Sequence, residues 1–315
     1  MVHRPELPHV IAVLALAAGT GLASLASGGC AATEERPRTE DDARQLAPLP
    51  ACLIELPSKG ARSEGVVKSL SEEQLWRVVF PAYDATRRVL PADPLACTGR
   101  PVLRDKALAG GKASARIEEG DTSLGSGGDR LKIAWLRSLT FDDGAAGGAL
   151  ALVRSYESTA EVYAVGAFRG RPRTLFAIER IGPEVVVAAQ DDGCTGRKPA
   201  AACETMVTVF RPRFGALEPV ANIAQERISY AADGEPGVRG RTEYRLASSI
   251  QYLDGGIRVL EQVTVRDDLG REVRRAELER AYTFAPDGKM VVDEDSLWSR
   301  VVASAKTKPP PPPAN

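Results

Sequence analysis

From Leu131 onward the sequence is written in short runs whose apolar side chains recur at every second position, separated by glycine, proline and aspartate. Successive side chains of a strand point to opposite faces, so this period is that of strands with one face buried. In Thr242 to Tyr252, the side chains of Tyr244, Leu246, Ile250 and Tyr252 fall on one side. Asp254-Gly255-Gly256 then supplies a hairpin turn, and Ile257, Val259, Val263 and Val265 share a side of the next run. Further strands are expected over Leu131 to Phe141, Ala149 to Tyr156, Glu161 to Phe168, Thr174 to Ile181, Glu184 to Ala189, Thr205 to Arg211 and Val220 to Tyr230. Glu272 to Phe284 has a helical composition but alternates at Ala276, Leu278, Tyr282 and Phe284, and Asp287-Gly288 turns it toward Met290 and Val291, so it is read as a strand. About ten strands without long helices between them predict a mainly β fold, an antiparallel sandwich or a barrel-like meander, with a short propeller as a further possibility.

The region before the strands reads differently. Ser71-Glu72-Glu73-Gln74 is a capping-box pattern with Leu70 and Leu75 as a hydrophobic staple. Leu75, Trp76, Val79 and Phe80 then lie on one helical face, which Pro81 ends, and a second helical turn is expected from Ala82 to Val89. Spaced four apart, Trp76 and Phe80 are read as core. The organisation expected is a leader over 1–29, a tether over 30–48, a helical and loop region over 49–130 packed on the sheet, an antiparallel β domain over 131–300, and a proline-rich tail over 301–315. The tail holds Pro309 to Pro313, which favour polyproline II and cannot join a ladder.

His3 and Arg4 precede an apolar stretch from Val10 to Ala18, followed by small residues ending at Cys30. This order resembles the precursor of a bacterial lipoprotein. The resemblance implies cleavage before Cys30, lipidation of that cysteine and attachment to a membrane of the cell envelope. Ala31 in place of Asp implies the outer membrane; Ser27 departs from the leucine usual three positions before the cysteine. Cleavage near Ala26 or Ser27 to give a soluble secreted chain is the alternative. The charged, apolar-poor stretch between Cys30 and Pro48 has the composition of a flexible tether.

Four cysteines remain, Cys52, Cys97, Cys194 and Cys203, an even number suited to an oxidising compartment. None forms a C-x-x-C pair. Of the three possible pairings, the nearest-neighbour one is expected, Cys52 with Cys97 and Cys194 with Cys203, the second closing a long hairpin.

Function is mostly bounded by exclusion. Lys+Arg 41 against Asp+Glu 42 gives a formal net charge of -1, which removes the case for a nucleic-acid partner. The only histidines, His3 and His9, precede the expected cleavage site, so a mature chain would lack an imidazole for a triad or a metal. No catalytic, cofactor or metal residues are assigned. Gly125-Ser126-Gly127-Gly128 lacks the spacing of a phosphate or dinucleotide loop and is read as a loop. Asp142-Asp143-Gly144 and Asp191-Asp192-Gly193 are read as turns, and the three tryptophans, at 76, 135 and 298, are scattered. Asp293-Glu294-Asp295 could supply paired carboxylates, so a carboxylate-dependent hydrolase acting on an envelope or extracellular polymer is kept as the alternative to a non-catalytic binding or assembly module. If the strands from Glu161 to Tyr252 form a simple up-and-down meander, alternate connections share one end. That would gather Arg169, Arg171 and Arg173 with Arg197 and Lys198 and with Arg239 and Arg241 on a rim suited to an anionic envelope component or an acidic protein.

Overall fold

A computed structural model describes residues 49–56, 70–126, 131–156, 158–195, 202–231 and 242–306. The capping box forms: Gln74 N–H donates to Ser71 Oγ at 3.2 Å, and Ser71 N–H donates back to Gln74 Oε1 at 2.9 Å. Helix α1 (Glu72–Val79) follows and buries Leu75, Trp76, Val78 and Val79. Trp76 and Phe80 are core residues with ring centroids 6.1 Å apart. The second helical turn does not form. Asp84 Oδ1 instead accepts the N–H groups of Thr86 and Arg87, and the chain doubles back to bridge Asp84 to Val89. An aspartate that caps its own turn outcompetes the helix in so short a segment.

The period-two runs form one open, mostly antiparallel sheet of 14 strands. They are β1 (Cys52–Glu55), β2 (Lys112–Ala113), β3 (Thr122–Ser126), β4 (Leu131–Thr140), β5 (Ala146–Ser155), β6 (Thr159–Gly170), β7 (Leu175–Ile181), β8 (Glu184–Thr195), β9 (Ala202–Arg213), β10 (Gly215–Ala231), β11 (Thr242–Leu253), β12 (Gly256–Arg266), β13 (Glu272–Phe284) and β14 (Met290–Val292). Two expected loops are strand: Asp191-Asp192-Gly193 belongs to β8 and Gly125 to β3. The Asp142-Asp143-Gly144 turn does form, with Gly144 at φ +77°.

The simple meander breaks between β6 and β7. β6 pairs with β5 on one edge and with β1 and the start of β10 on the other, while β7 pairs with β8. The 17-residue β10 joins the parts: its first residues run parallel to β6, its body pairs with β9 and its end pairs with β11. The sheet is thereby folded into stacked layers. One face of β4, β5 and β6 packs Trp135, Leu150, Leu152 and Phe168 against Val187, Ala189 and Phe210 of β8 and β9. The other face of β8 and β9 packs Val186, Val207 and Val209 against Ile257, Val259 and Tyr282 of β12 and β13. Outside β4 to β6, α1 and the disulfide Cys52–Cys97 close a further core against Ala149, Ala151 and Val162. Burial on both faces explains why β5 and β8 read as continuous apolar runs.

Close stacking needs positions without a side chain. A Cβ on Gly166 of β6 would lie 2.1 Å from the carbonyl oxygen of Leu217 in β10, which is backbone and cannot step aside. Gly166→Ala is therefore expected to destabilise the protein by about 3 kcal/mol. Gly255→Ala, with nothing within 4 Å of its added carbon, should change stability little. Urea midpoints of the two variants check this, and equal midpoints would refute it.

The expected division at residue 300 falls inside a helix. Helix α2 (Leu297–Lys306) runs across that boundary and packs Leu297, Trp298 and Val301 on Tyr244, Leu246, Val263 and Val265. Its start is held by Glu261 of β12, which sits on the apolar face between Val259 and Val263. Glu261 Oε2 accepts Ser296 Oγ–H at 2.9 Å and Leu297 N–H at 2.7 Å, and its Oε1 accepts Arg280 Nη1–H at 2.5 Å. Asp293, Glu294 and Asp295 lead into this helix, and the carboxylates of the first two are engaged within the fold. Asp293 Oδ1 accepts Ala281 N–H at 2.9 Å, and Glu294 pairs with Arg300 at 2.9 Å.

Candidate functional site

The β6–β7 turn, the β4–β5 turn, the end of β8 and start of β9, the far half of β10 and α2 meet around a pocket of about 530 Å³. These two strand ends are locked covalently, since Cys194 and Cys203 face each other in register and form the second disulfide. Arg169 and Arg171 line the pocket beside this bridge, as do Asp143, Asp191, Glu204, Met206, Arg227 and Trp298.

The charges are mostly matched in pairs. Arg169 Nη2 donates to Asp143 Oδ2 at 2.8 Å while its guanidinium lies 4.0 Å over the Phe141 ring. Arg227 stands opposite Glu204 in the β9–β10 register and donates to its Oε1, the Nε bond measuring 2.6 Å. Asp191 Oδ1 accepts the Arg171 backbone N–H at 2.7 Å and the Thr174 hydroxyl at 2.8 Å, which tethers the β6–β7 turn to β8. That tether gives the Asp191 carboxylate its partners inside a strand. The Arg171 side chain is the exception: its Nη1 donates to the carbonyl oxygen of Asp143, and no carboxylate among the described residues pairs with it. Its Nε and Nη2 face Gly193, where an added Cβ would lie 3.9 Å from Nε.

The Ala145 backbone N–H donating to Asp143, followed by the Arg169 and Arg171 guanidiniums, holds this carboxyl below the usual carboxylate range. Asp143 is therefore ionised at neutral pH and cannot act there as a general acid, which removes the proton donor that carboxylate-pair hydrolysis would need from it. Among the described residues no cluster of three or more His, Cys, Asp or Glu side chains could hold a metal.

No family model matches the chain, and neither the curated proteins nor the solved structures include a match. Of the expected rim, Arg169 and Arg171 reach the pocket, and Arg173 is exposed on the same turn but outside the lining. Arg197, Lys198, Arg239 and Arg241 lie outside the described residues, as does Cys30. Sequence reasoning missed Arg227, Glu204 and Trp298. The first two carry a readable signal, an opposite-charge cross-strand pair, but only once the register of β9 on β10 is known.

Proposed function

We propose that the chain is an envelope lipoprotein, anchored through Cys30, that works as a non-catalytic binding or assembly module, and that its partner docks at the pocket beside Cys194–Cys203. The observation that carries the docking site is Arg171, a guanidinium with a free edge on a wall fixed by a disulfide and by Asp191. Asp143, Asp191 and Glu204 around it disfavour a dense polyanion, so an acidic protein surface or a single carboxylate suits the wall better than a phosphate-rich polymer. For the anchor, support comes from the leader pattern ending at Cys30 and from the paired cysteines of the mature chain.

Arg171→Glu should lower capture of the partner from envelope extracts several-fold at low salt, with the difference shrinking as salt screens the site. Arg116→Glu, an exposed arginine away from the pocket, should leave capture unchanged. Equal capture by both variants would exclude the pocket. The anchor is tested separately by intact mass, where an unmodified Cys30, or a chain starting at Gly28, would exclude lipidation.

A further inference from the structure

We infer that the turn between β9 and β10 seats the Phe214 ring in the surface of the bilayer that carries the lipid anchor, which rests on the anchored reading proposed above. Phe214 is 91% exposed, yet its backbone is held at φ +48°, a left-handed conformation that bulky residues avoid. Glycine or asparagine would make this turn without strain. At this exposure the ring adds no core contact, and the Arg213 guanidinium lies 5.3 Å from its centroid. Strain maintained in order to present an aromatic ring outward points to a use outside the fold.

The turn is fixed in place. A Cβ on Gly215 would lie 3.0 Å from the Ala51 Cβ and 3.5 Å from Thr98 Cγ2, and the Cys52–Cys97 bridge holds both of those segments. Ala51 is also where the chain arrives from Cys30. Leu49, two residues earlier, is 90% exposed, and Leu53 and Leu95, on either side of the bridge, are exposed as well. The tether composition of residues 31–48 thus ends beside the Phe214 turn. A single aromatic side chain and a leucine would not hold a free protein on a membrane. Behind a short tether the contact becomes intramolecular, with an effective concentration of order millimolar, and a weak interfacial contact is then occupied. A phenyl ring and leucine side chains have no polar atom to keep in water, and they gain by entering the boundary between headgroups and acyl chains. The geometry has a corollary: Phe214 and the Cys194–Cys203 bridge lie at opposite ends of the 12-residue β9, roughly 35–40 Å apart, so seating the turn points the pocket away from the bilayer.

The test places Phe214→Trp in the full chain, reconstituted through its own anchor into phosphatidylethanolamine and phosphatidylglycerol vesicles with or without brominated acyl chains. The difference spectrum against the parent isolates position 214. Expected is blue-shifted emission, most of which is lost to the brominated chains. Emission that stays at the wavelength of hydrated indole and is unquenched would overturn the proposal. So would a blue shift that appears without lipid and grows with protein concentration, since a second copy would then be the occupant. Intact mass of the same sample reports lipidation independently. If Cys30 is unmodified, an N-terminal histidine tag on a nickel-chelating lipid holds the same variant at the vesicle surface, so the turn is still tested when the anchor reading has failed.

Discussion

Replacing Glu261 with alanine should destabilise the protein by about 3–5 kcal/mol, because it leaves a guanidinium stranded in an apolar layer. The carboxylate is 1% exposed and Arg280 9%. Arg280 keeps its bond from Nε to the carbonyl oxygen of Glu294 at 2.9 Å and its contact with Tyr282, and loses its only carboxylate partner among the described residues. The same substitution removes the acceptor for Ser296 Oγ–H and Leu297 N–H at the start of α2. Helix release should therefore precede global unfolding, visible as a red shift of Trp298 emission at urea concentrations that leave the β-sheet signal intact. Glu261→Leu with Arg280→Met, which removes both charges together, should recover much of the loss. If the single variant costs less than about 1 kcal/mol, water reaches Arg280 and the buried-pair account is wrong.

Removing the Cys52–Cys97 bridge is expected to cost about 4 kcal/mol, against about 2.7 kcal/mol for Cys194–Cys203, because the first closes a sequence separation of 45 and the second one of 9. The two losses should also differ in character. Without the first bridge, β1 is left with four paired residues on β6 and the N-terminal core loses its clamp. Without the second, the hairpin keeps its ladder, and the pocket wall loosens with little change in global stability beyond the loop term. Urea unfolding of the two double-serine variants gives the ranking, and a larger loss for Cys194–Cys203 would contradict it.

Where one face is solvated, the strands were legible from period two, as in β11 and β12, whose turn falls at Asp254-Gly255 as expected. Legibility failed where both faces are buried. Val186, Val187, Ala188 and Ala189 are consecutive and all buried, so alternation says nothing about which layer each side chain enters. The placement of Arg169 and Arg171 near Cys194 was anticipated from a meander that does not exist between β6 and β7. They meet because the β6–β7 connection crosses between layers and is bonded to Asp191 on the far side. Helix α2 was hidden by the proline run beyond it, although Trp298 and Val301 carry helical spacing. Its anchor, Glu261, alternates into an apolar face where a charge is unexpected until Arg280 is placed beside it.

The layer formed by β7, β8 and β9 makes the protein's solubility depend on synthesis being finished. A chain that emerges N-terminus first completes this layer before β11 to β13 exist to cover it. Until Tyr282 arrives, Val186, Val207, Val209 and Ile223 present a contiguous apolar surface with open strand edges at its border. Such a nascent form is a ligand for holdase chaperones and a target for proteases. A premature stop before Thr242 should therefore leave no accumulated fragment, so that an intact C-terminal half acts as the chain's own licence to persist.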